Sequence, residues 1–127
     1  MPPLVAVHTA CLIAQAYANS HIDAAWSIGT TGFAGTVFLA LPIVALIVKR
    51  QQPRIAFVLM LGCFAASCAF YAKFSLLNHR IFFPLAEPIV WSIVFRFLSY
   101  LLVAVDALGA VMVALLIKAS ASSDNAN

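Results

Sequence analysis

Long apolar runs separated by short polar connections organise the chain. The runs cover residues 4–18, 24–48, 55–72 and 89–117. At 1.5 Å rise per residue, about 20 residues in a helix span the ~30 Å hydrocarbon layer of a bilayer. The pattern predicts an all-α integral membrane protein built as a small bundle of four helices. One transmembrane helical domain takes up 1–118, and a polar tail at 119–127 is expected to be disordered. Three crossings are firm: Ala24–Val48, Ile55–Ala72 and Phe97–Ile117. The first run, Leu4–Ala18, is short and reads as a short crossing or a segment packed at the interface. Ala16-Tyr17-Ala18 resembles a small-x-small cleavage site, but no Lys or Arg precedes it, so we read a helix.

The connections refine this layout. Pro42 inside the second run removes a backbone donor and predicts a kink. Arg54 and Lys73 frame the third run over roughly 28 Å as a helix. Residues 74–88 mix Asn78-His79-Arg80, Phe82-Phe83-Pro84 and Glu87-Pro88. Aromatic and basic groups together suit headgroups, so this segment is expected to lie along the surface before the last helix. In that helix Arg96 and Lys118 stand about 33 Å apart.

Composition agrees with the pattern. Hydrophobic residues make up 65% and charged residues only 9%, against about 25% charged in soluble domains. The net charge is +3, yet Lys49, Arg50 and Arg54 form the only basic cluster. Such a cluster fits a topology signal, so no nucleic-acid partner is expected. It predicts the 49–54 turn on the cytoplasmic, stromal or matrix side. The setting would be a bacterial inner membrane or an energy-converting membrane of an organelle.

Candidate chemistry is sparse. Cys11, Cys63 and Cys68 have no metal-ligand spacing and read as small apolar side chains. Asp106 is the sharpest lead, because it falls near mid-membrane, where an acid costs about 2.5–3.5 kcal/mol on insertion scales. It must face protein or water, with His8, Ser67, Thr36 or another subunit as candidate partners. It reads either as an acid that locks helix packing or as a proton relay. Arg96 reads as an interface anchor, or as a contact to a lipid phosphate or partner carboxylate. Among His8, His21 and His79, only His8 lies in an apolar run, where it could bind one tetrapyrrole. No metal site is expected. Gly29, Gly32 and Gly35, and separately Gly62 and Ala66, mark small-residue faces suited to close helix packing.

Trp91, Arg96, Phe97, Tyr100 and Asp106 resemble in order the third helix of microbial rhodopsins. Ser99 stands where that pattern carries its first acid, and no threonine pair follows. No family is assigned on this basis.

No nucleophile–base pair or phosphate loop is visible, so an enzyme acting alone is not expected. The reading is a small accessory subunit that packs in the lipid bilayer against other subunits of a larger membrane complex, of respiration or photosynthesis. One alternative is a homo-oligomeric transporter or channel using Asp106. Another is a subunit binding haem, pigment, lipid or quinone.

Overall fold

The computed structural model describes residues 2–20, 28–73 and 89–127, with the backbone alone at 19, 28–32, 34, 89 and 92. Four helices make up nearly all of it: α1 (Pro2–Ser20), α2 (Ile28–Val48), α3 (Pro53–Ala72) and α4 (Ile89–Ala126). Lipid offers backbone groups no hydrogen-bonding partner, so helices, which satisfy their own, are the expected element.

Local chemistry sets the boundary between α2 and α3. The backbone amide of Gln52 donates to Val48 (2.9 Å), closing a tight turn. Pro53 then occupies the first turn of α3, where its missing N–H costs nothing. Pro42 lies inside α2. Without its N–H, the carbonyl of Phe38, one turn back, loses its helical donor.

The helices form a closed ring in up-down order. α1 packs on α2, α2 on α3, α3 on α4 and α4 on α1, while backbones across either diagonal stay apart. Two apolar layers fill the interior. Val5, Ala45, Met60, Phe64 and Val113 form the layer near the 49–54 turn. Cys11, Leu12, Phe38, Cys63, Tyr71 and Leu102 form the other. The buried residues of α4 (Phe95, Ser99, Leu102, Asp106, Gly109 and Val113) alternate spacings of four and three. That is the seam of a left-handed bundle.

Two helical stretches are long and apolar enough to cross a membrane, Pro53–Ala72 and Ile93–Ala126. The third firm crossing is not established. α2 runs uncharged from Ile28 to Val48, but its side chains are described without a gap only over Gly35–Val48, a stretch too short by itself to establish a crossing, and residues 24–27 lie outside the described residues. The surface segment expected at 74–88 also lies outside them. The tail needs a correction: it continues as helix through Ala126. Ser122 donates to the carbonyl of Lys118 (3.1 Å), and Arg54 of α3 pairs with Asp124.

Candidate functional site

Polarity is inverted relative to a water-soluble bundle. Ile47, Val58, Phe97 and Leu115 are each more than half exposed, whereas His8, Gln15, Ser67, Ser99 and Asp106 are buried. An apolar exterior on this scale marks a surface built for something other than water.

Between the two apolar layers, all four helices meet at one polar node. His8 on α1 places Nδ1 2.5 Å from Asp106 Oδ1 on α4. Its Nε2 lies 3.0 Å from the carbonyl of Phe38 on α2. Ser67 on α3 donates its hydroxyl to Asp106 Oδ2. The proline explains the α2 contribution. Pro42 withholds its own donor from Phe38, and the freed carbonyl accepts from His8 instead. The thiol of Cys63 approaches the same oxygen at 3.8 Å.

The node's protons can be counted from its partners. A carbonyl only accepts, so His8 Nε2 carries a hydrogen. One further hydrogen lies between Nδ1 and Oδ1. Placed on oxygen, it gives imidazole and carboxylic acid. Placed on nitrogen, it gives imidazolium and carboxylate. Both arrangements carry zero net charge, and an acid that shares its proton is far less costly in hydrocarbon than an isolated charge.

A second bond sits toward the other end of α1. Gln15 Nε2 donates to Ser99 Oγ at 2.6 Å, and Ser99 donates on to the carbonyl of Phe95 at 2.9 Å. Gln15→Leu is expected to destabilise the bundle by about 1 kcal/mol, the scale of one interhelical bond in lipid. Detergent unfolding curves would measure it; no change would mean that the bond contributes nothing.

The node has the residue types of a Ser–His–Asp triad but not its order. Asp106 stands between His8 and Ser67, so the hydroxyl meets the carboxyl group and not the imidazole that serves as base in a triad. All three side chains are fully buried. No group of three metal-ligating side chains occurs among the described residues.

The other expected site residues fall as follows. Thr36 is exposed on α2, away from Asp106. Arg96 is exposed. His8 as a tetrapyrrole ligand meets an obstacle, because both ring nitrogens already serve the node. The packing of Gly29 and Gly32 lies outside the described residues. Gly35 and Gly62 have open space where a side chain would begin, and Ala66 is exposed. The close approach occurs instead at Gly109, where an added Cβ would lie 2.9 Å from the Phe64 ring. That ring stands edge-on to His8, centroids 5.4 Å apart. Gly109, Gln15 and Ser99 were not singled out from the sequence. The four-and-three spacing around Asp106 was the signal for Ser99 and Gly109.

The chain matches no protein-family model, no curated protein and no solved structure with which it was compared.

Proposed function

We propose that the chain is a membrane-embedded accessory subunit that packs against a larger membrane complex. The inverted polarity supports this reading. The interior polar groups bond to one another, and many of the large apolar side chains face outward. On α3, Gly62, Ala65, Ala66 and Ala69 all face outward, where a neighbouring helix could approach closely. The host envisaged is a respiratory or photosynthetic complex.

Purification in mild detergent followed by native mass spectrometry tests the proposal. Co-purification with foreign subunits, lost in Ala66→Leu, is the expected result. A pure homo-oligomer, or a lone monomer, would overturn it.

A second reading is a homo-oligomeric transporter or proton relay. The His8–Asp106 contact supports it, because a histidine and an acid side by side inside a membrane are the groups from which proton relays are built. The haem or pigment reading would need His8 to leave the node.

The proposed topology places the 49–54 turn, together with the starts of α1 and α3 and the end of α4, on the cytoplasmic, stromal or matrix side. Single cysteines at Gln51 and Lys73, with the native thiols replaced, should label from opposite faces of sealed vesicles. Labelling of both from one face would sink this topology.

A further inference from the structure

At the end of the bundle that carries the 49–54 turn, α3 and α4 border a surface groove of about 470 Å³. Phe57, Val58, Ile117 and Ala121 give it an apolar lining, and Arg54 and Asp124 stand among its polar residues. A lining of this kind suits an amphiphile, and the volume falls in the roughly 300–1,000 Å³ range of small-molecule sites. Residues 117–125 of α4 cover about 12 Å along its axis, more than the roughly 5–8 Å of one headgroup layer, so a groove along them would reach from the headgroups into the edge of the hydrocarbon.

We propose that this groove holds one anionic phospholipid, with acyl chain against the apolar lining and phosphate on the Arg54 guanidinium. The inference rests on membrane placement and is independent of any host complex.

Charge selects the ligand. Arg54 and Asp124 form an ion pair at 78% and 54% side-chain exposure. A pair so exposed contributes little. A guanidinium has five donors in a planar fork, enough to serve a carboxylate and a phosphate together. A second cation stands close by: Lys49 Nζ lies 5.7 Å from the centroid of the Phe57 ring that lines the groove. Two cations against one carboxylate leave the site net positive. A zwitterionic headgroup would bring its own cation to this positive rim. A free phosphate would leave the apolar lining unused.

The test is native mass spectrometry of the full chain from detergent, with phosphatidylglycerol, phosphatidylcholine or glycerol phosphate added. Retention of phosphatidylglycerol above phosphatidylcholine is expected. Arg54→Gln should lower that preference roughly fivefold, the scale of one basic residue facing anionic lipid. Asp124→Asn should raise the preference by removing the competing carboxylate. Lys73→Gln, at the other end of α3, should leave it unchanged. All three substituted side chains are exposed, so folding is not at stake. Equal retention of the two lipids, an unchanged preference in Arg54→Gln, or equal retention of glycerol phosphate would each overturn the proposal.

Discussion

Asp106→Leu is expected to lower the stability of the bundle by about 2–4 kcal/mol, whereas Asp106→Asn should cost about 1 kcal/mol or less. The leucine removes two hydrogen bonds and leaves His8 Nδ1 and the Ser67 hydroxyl without their partner. Breaking a buried pair from one side costs about 3–5 kcal/mol in soluble cores. Membrane bonds are worth less, because the unfolded chain in lipid finds other partners. Asparagine refills the node. Its amide N–H donates to Nδ1 of neutral His8, and its carbonyl accepts from Ser67. Unfolding in mixed micelles measures both variants. Equal destabilisation by Asn and Leu would show that the node is not held by these bonds. The same pair separates the two functional readings. Asn cannot exchange the shared hydrogen, so assembly with proton-coupled activity lost would favour the relay.

Gly109→Ala is expected to destabilise the bundle by about 1–3 kcal/mol, while Gly62→Ala stays within about 0.5 kcal/mol of the parent. At Gly109 the new methyl would lie 2.9–3.0 Å from three atoms of the Phe64 ring. Phe64 is fully buried and stands against His8, so its retreat disturbs the node. At Gly62 nothing lies within 4 Å. Adding Phe64→Leu to Gly109→Ala should recover part of the loss, because the smaller side chain makes room. The decisive measurement is again unfolding in detergent. A larger cost at Gly62 than at Gly109 would refute this account of the helix contact.

Both predictions concern contacts that the sequence shows only in part. Apolar length made the helices visible, because bilayer thickness dictates how long an uncharged run must be. Asp106 was visible for the same reason, as a group too costly to leave in hydrocarbon. Its partners His8 and Ser67 were among those considered, alongside Thr36. A sequence gives register within a helix but not the rotation of one helix against the next, so Thr36 could be placed on the outer face only in three dimensions. The same limit applies to Gly35 and Gly62, which have open space where a side chain would begin. Small residues mark where helices can approach, whether or not they do. The tail misled differently. Its serines read as disorder, yet Ser122 bonds back to Lys118 and Asp124 reaches Arg54 on α3.

The node also sets a timetable. His8 and Asp106 are 98 residues apart, an interval that takes a ribosome about 5–20 s to translate. His8 can engage the Phe38 carbonyl once α2 has emerged, since only 30 residues separate them. Its other ring nitrogen must wait for the last helix. During that wait His8 Nδ1, the Ser67 hydroxyl and the Gln15 amide all lack the partners that α4 supplies. α4 brings Asp106 and Ser99 together, so the polar interior closes only when that helix docks.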